Sequence, residues 1–178
     1  MFMKLLSILL CFVFGATSTN AQTSIKAGAA RVNITPSYAT LINGDFLPMF
    51  TKIIHDSLYA KALFFDNGKK RFVFVVVDCM GIDAELINDA KVFIQKRTGI
   101  DPKQVMISST HAHSCGAVHD GAACPADLNY RLAMPTKIAE AVVKAIKNSI
   151  PAKIVWGQID ATASLLPQVV YEIWLPHD

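Results

Sequence analysis

Cysteine, tryptophan and charge are all scarce in this sequence. Its 178 residues include four cysteines and two tryptophans, and charged residues make up 17%. Cys79, Cys115 and Cys124 have no regular spacing, which excludes a structural zinc knot. Cys115 and Cys124 fall in one loop, where pairing and free thiols are both open readings. Both tryptophans, Trp156 and Trp174, come late, so an aromatic-lined carbohydrate or lipid pocket has little support earlier in the chain. No block of like charge occurs. Of the 17 basic residues only Lys4 lies in the first 21, so 16 face 14 acidic residues beyond them. That balance indicates no nucleic-acid partner and no strong electrostatic pull to a membrane. There is no internal repeat and no low-complexity linker, and nothing marks a second domain.

The N-terminus has the pattern of an export signal. Met1–Lys4 forms a short basic start, Leu5–Ala16 an uncharged apolar run, and Thr19-Asn20-Ala21 a small-residue cleavage site. The run falls short of the about 20 apolar residues that span a bilayer. Cleavage is therefore expected after Ala21, with no transmembrane segment left. The expected location is periplasmic, secreted or cell-surface. Residues 22–160 form the body, long enough for one domain with a sizeable core.

Hydrophobic periodicity predicts an α/β fold. A first strand is expected over Ile25–Asn33. Two more, Leu58–Phe65 and Arg71–Asp78, flank Asp66-Asn67-Gly68-Lys69, a strong hairpin signal. Phe72–Val77 is apolar at every position, which predicts a central strand buried on both faces. A helix capped by Asp83 follows, with Leu86, Ile87, Ala90, Phe93 and Ile94 at helical spacing, and it ends at Gly99. Val105–Thr110 reads as a strand. Asp127–Ser149 reads as a helix broken or kinked at Pro135, and Lys153–Trp156 as a further strand. Residues 37–57 read as irregular. The alternation from residue 71 predicts a mixed, largely parallel sheet flanked by helices.

The chemistry concentrates in Ser108-Ser109-Thr110-His111-Ala112-His113-Ser114-Cys115-Gly116. This segment leaves a strand at its C-terminal end, the edge where open α/β sheets bind ligands. Histidines at i and i+2 of an extended segment project from one side. The small polar neighbours leave room for an ion or a substrate. His111 and His113 are thus candidates for a metal or catalytic role. Asp78, Ser114, Gly116, Asn43 and Gly44 are candidate site-lining residues. His119, Asp120 and His55 are weaker candidates, and His177 weaker still. A catalytic zinc requires three protein ligands and an open position, so two histidines alone make an incomplete site. Metallo-β-lactamase-like hydrolases carry Asp-His where this chain has Cys115-Gly116. Barrel amidohydrolases need about 250 residues. Neither pattern matches.

Several blocks, in order, resemble the N-terminal domain of neutral/alkaline non-lysosomal ceramidases. They are Gly28–Pro36, His55–Leu63, Val75–Asp78 with Met80-Gly81, Ile107–Ser114, Lys137–Val142 and Pro151–Ile154. Asn33 stands where that family usually has Asp, and Ser57 where it usually has Pro. The resemblance implies a zinc-dependent hydrolase of an N-acyl amide such as ceramide, with one zinc in the complete enzyme. It implies that His111 is a zinc ligand and that His113 is a catalytic-site histidine contacting the reacting group or water. The family's remaining ligands have no counterpart before residue 178. Residues 161–178 depart from its pattern, which continues with Asn-Arg-Arg. The expectation is an N-terminal part that is inactive alone. The alternatives are a non-catalytic exported α/β binding module and another His-x-His metal-dependent hydrolase.

Overall fold

The computed structural model describes residues 25–44, 47–121 and 124–158. The expected export signal, the tail from 161 and His177 lie outside the described residues. Five strands form the main sheet, in the order β6-β5-β4-β1-β8. They are β1 (Ile25–Asn33), β4 (Tyr59–Asp66), β5 (Arg71–Val77), β6 (Val105–Ser109) and β8 (Ile150–Ala152). A small second sheet, β3-β2-β7, joins β2 (Leu41–Asn43), β3 (Met49–Phe50) and β7 (Cys115–Gly116). Helix α1 (Ala84–Thr98) connects β5 to β6, and α2 (Leu128–Lys147) precedes β8. The expected mixed α/β fold is present.

Local chemistry accounts for the elements. Asp66 and Asn67 side chains accept backbone N–H groups from Gly68 to Lys70 and close the β4–β5 hairpin. Asp83 caps α1 by accepting from Leu86 N at 2.9 Å, and Gly99 ends it in the left-handed conformation. Asp127 caps α2 in the same way through Tyr130 N. The helix runs unbroken through Pro135. That proline is buried with Met134, Ile138 and Val142, so packing outweighs the lost N–H where a break was expected.

Among the described residues only β5 and β6 pair in parallel, across the α1 crossover. The β1–β4, β4–β5 and β1–β8 pairs are antiparallel, which corrects the expectation of a largely parallel sheet. After α2 the chain does not return beside β6. It crosses to the far edge and pairs Ile150–Ala152 with Ala27–Ile25. The strand expected at Lys153–Trp156 is thus displaced toward the N-terminus. Beyond Ala152, Val155 and Trp156 stand exposed.

One hydrophobic core lies between the sheet and both helices. Val32, Ala60, Ala62, Phe64, Val73, Val75, Val77, Val105 and Ile107 face Leu86, Ala90, Ile94, Ile138, Val142 and Ala145. The opposite sheet face is open. Leu63, Phe72, Phe74, Val76 and Met106 are all exposed there. Strand β5 is an interior strand, between β6 and β4, rather than the centre of the sheet, and only one of its faces is buried. No helix among the described residues is long and apolar enough to cross a membrane.

Candidate functional site

The chain passes the C-terminal end of β6 still attached to β5. Thr110 N donates to Val77 O at 3.0 Å, and Ala112 N to Cys79 O at 3.2 Å. These bonds carry the β5–β6 ladder beyond Ser109 and fix the backbone on both sides of His111. His111 itself takes φ 58°, among the described residues the only non-glycine at positive φ. That conformation is uncommon for a residue with a Cβ and is a place to look for function. It also revises the reasoning from i, i+2 spacing. The histidines meet because His111 turns the chain, not because the segment is extended.

The ring geometry is specific. His111 Nδ1 lies 2.9 Å from Met80 O. A carbonyl only accepts, so Nδ1 carries the proton and Nε2 presents its lone pair. His113 Nε2 is 3.3 Å from that nitrogen, and the rings meet edge to face at 4.9 Å between centroids. Both are exposed at the surface. Backbone carbonyls often orient metal-binding imidazoles in this way. Zinc–nitrogen bonds of about 2.0–2.1 Å in a tetrahedron place two ligand nitrogens about 3.3–3.4 Å apart. The observed separation fits that edge. Among the described residues no group of three His, Cys, Asp or Glu could hold a metal, so the pair supplies at most two ligands.

Behind the pair stand the candidate lining residues. Asn43 in β2 pairs with Cys115 in β7. Its side chain is buried and donates to His119 O at 3.0 Å. Gly44 follows at φ 129°, and a Cβ there would come within 2.6 Å of His113 Cα and O. Only glycine lets the two backbones approach so closely. Gly116 is buried, and a side chain on it would strike the Tyr130 ring. Ser114 is exposed beside the pair. Asp78 is engaged elsewhere: its oxygens accept from Tyr59 N and Lys61 Nζ, both at 2.9 Å. Those partners belong to β4, on the other side of β5 from the histidines.

A cavity of about 310 Å³ adjoins the pair. Ala112, Ser114, Cys115 and Gly116 line it together with Ile42, Ile53, Ile54 and Leu58, and His55 and Asp56 are also on its lining. His55 Nδ1 lies 2.9 Å from Asp56 Oδ2, and the hydrogen bond to this carboxylate raises the imidazole pKa above its usual value. His119 is placed apart: its Nδ1 meets Asp120 O at 2.7 Å, and its buried Nε2 faces Gly81 with no partner. Asp120 accepts from Ala126 N and shapes the same loop.

Cys79, Cys115 and Cys124 are all free and buried, so Cys115 and Cys124 do not pair. Burial, helped by Cys115 and Asp78, pushes the Cys79 thiol up to about 12. Burial also lifts Cys115 to about 11. Both stay protonated near neutral pH and act as small core residues.

No family model and no curated protein matches the chain. Solved structures do match. Neutral ceramidase from Pseudomonas aeruginosa aligns with a TM-score of 0.63 at 18% identity, covering 73% of this chain and 22% of that one. A ceramidase complexed with C2 aligns at 0.59 and 17% identity, with the same coverage. The chain has a ceramidase-like fold. It spans 22% of the length of those ceramidases. At this identity the likeness concerns architecture, and the chemistry of the site rests on the residues above.

Proposed function

We propose that this chain is the N-terminal part of an exported, zinc-dependent hydrolase of N-acyl amides such as ceramide. The single observation that carries the reading is the His111–His113 pair. Its Nε2 atoms converge at 3.3 Å, and a backbone carbonyl holds His111 in the tautomer that offers Nε2. The ceramidase-like fold supports it.

In this reading His111 would hold the metal through Nε2 while Met80 O accepts from Nδ1 and keeps its proton there. His113 lies beside it, with its ring exposed toward the substrate side. Its Nε2–H can donate to an amide carbonyl oxygen as negative charge develops there, the role of an oxyanion donor. The apolar walls of the cavity hold the acyl portion of the amide and exclude water from it. A zinc ion held there would supply an activated water and polarise the scissile carbonyl. One ligating nitrogen satisfies only part of a catalytic zinc's ligand set, so the described residues do not turn over substrate by themselves.

Zinc per chain by elemental analysis, beside fatty-acid release from a short-chain fluorescent ceramide, tests the reading. The chain should hold zinc weakly and show no useful turnover. In a longer protein carrying this segment, His111→Ala should remove zinc and activity together, whereas His113→Ala should reduce rate more than metal content. Full zinc retention in that His111→Ala protein would refute the ligand assignment. Equal loss of metal in both variants would instead make His113 a second ligand.

A further inference from the structure

Five large apolar side chains stand in solvent within eight consecutive residues. Leu47 is 71% exposed, Met49 45%, Phe50 61%, Ile53 86% and Ile54 51%. Lys52 is the only charged residue from 47 to 54. Strand pairing holds this segment in place. Phe50 and Met49 pair with Leu41 and Ile42, and Thr51 donates to Thr40 O through both its N–H, at 2.9 Å, and its hydroxyl, at 3.1 Å. The result is a ribbon fixed at its base with apolar groups projecting outward.

The same ribbon faces the site. Ile53 and Ile54 line the same cavity as Ala112 and Ser114. Apolar surface therefore runs from solvent, along the ribbon, to the residue between the two histidines. We propose that residues 47–54 insert into the interfacial layer of a phospholipid bilayer and open the cavity toward it. Leu, Phe and Ile side chains partition there without needing a matching contour, and binding scales with the apolar area they bury. The Lys52 stem can lie along the apolar side while its ammonium reaches the phosphate layer. No acidic side chain in the ribbon opposes this. The attraction is mainly apolar, so it requires no net charge on the protein. The open sheet face is a different surface: Phe72, Phe74 and Met106 stand on flat strands, with no projecting tip.

This proposal rests on the preceding reading only for why a lipid would be wanted at the site. The binding itself needs neither metal nor turnover, so either can fail alone. In the full chain, Trp156→Phe and Trp174→Phe clear the background, and Phe50→Trp places one reporter on the ribbon. Vesicles of phosphatidylcholine brominated in the acyl chains should shift its emission to shorter wavelength and quench it. This local signal reads the ribbon and not the apolar N-terminal run. A single reporter at Phe72→Trp should remain unquenched. Adding Leu47→Ser and Ile53→Ser should lower the quenching at position 50 by roughly tenfold or more in lipid concentration, since each removes a large apolar side chain from the layer. Anionic phosphatidylglycerol vesicles should give binding within a few-fold of the zwitterionic ones, as one lysine contributes little. Ile53→Trp repeats the test should Phe50→Trp disturb the fold by circular dichroism. Absent quenching at both ribbon positions overturns the proposal. So does equal quenching at Phe72→Trp. A blue shift that follows protein concentration without vesicles would assign the ribbon to a second copy of the chain and also overturn it.

Discussion

Replacing Gly44 by alanine isolates what holds His113 in position. The new Cβ would lie 2.6 Å from the Cα and carbonyl oxygen of His113, and the backbone stands at φ 129°. Two costs follow. Holding a residue with a Cβ in so sparsely populated a conformation takes about 1–3 kcal/mol. The overlap is with backbone, so no rotamer change relieves it, and the forced shift adds about 1–3 kcal/mol. Gly68 supplies the reference. It sits at φ 79° with nothing within 4 Å of its missing Cβ, so Gly68→Ala meets only the backbone cost of about 1–2 kcal/mol. Urea denaturation of both variants should therefore show Gly44→Ala to be the costlier by about 1–3 kcal/mol. Imidazole nitrogen shifts should register a displaced His113 ring in Gly44→Ala and an undisturbed one in Gly68→Ala. Equal destabilisation with unchanged His113 resonances would refute the argument that Gly44 sets the ring's place.

Arg131→Leu should cost only about 1 kcal/mol in thermal melts at neutral pH, because its partners Asp83 and Glu85 are 40% and 82% exposed. The hydrogen bond from Arg131 holds the Asp83 carboxyl below its usual pKa. That stability is present above the unfolded carboxyl pKa of about 4 and is lost as pH falls through the lower folded value. The difference between wild type and Arg131→Leu should therefore shrink below about pH 4. Thr40→Val should cost about 1–3 kcal/mol by chemical denaturation, since it removes the buried hydroxyl that donates to Asp127 at the head of α2. Peptides containing Cys79 and Cys115 should remain unalkylated by iodoacetamide at pH 8 until urea is added. Prompt modification in the folded protein would contradict thiols raised to about 12 and about 11.

The elements with strong local signals were legible in the sequence. Asn67-Gly68, the Asp83 cap and the Gly99 stop each act over a few residues, and each lies where its chemistry requires. The partners of the strands were less legible. Alternation gives a strand's faces but not its neighbours, so it does not distinguish the antiparallel return of β8 beside β1 from another parallel crossover. Nothing in residues 37–57 announces β2 and β3. The second partner of β2, Cys115-Gly116, is more than seventy positions away, and short ribbons carry too few residues to show a period. At the site, the two histidines stood out by residue type and by their place after a strand. The left-handed turn at His111 and the Met80 carbonyl that selects its tautomer did not. Both depend on tertiary contacts rather than on local pattern. The all-apolar β5 was read as doubly buried because composition alone cannot say whether a second layer is present.

The edge pairing of β8 also sets the order in which the chain can close. Strand β1 finds β4 within a short stretch of synthesis, but its other edge waits for Ile150–Ala152. At about 5–20 residues per second, that delay from Ala27 to Ile150 is roughly 6–25 s. Throughout it, the first strand made keeps one row of backbone donors and acceptors unpaired. The last described strand is therefore also the one that ends the exposure of β1 to mispairing.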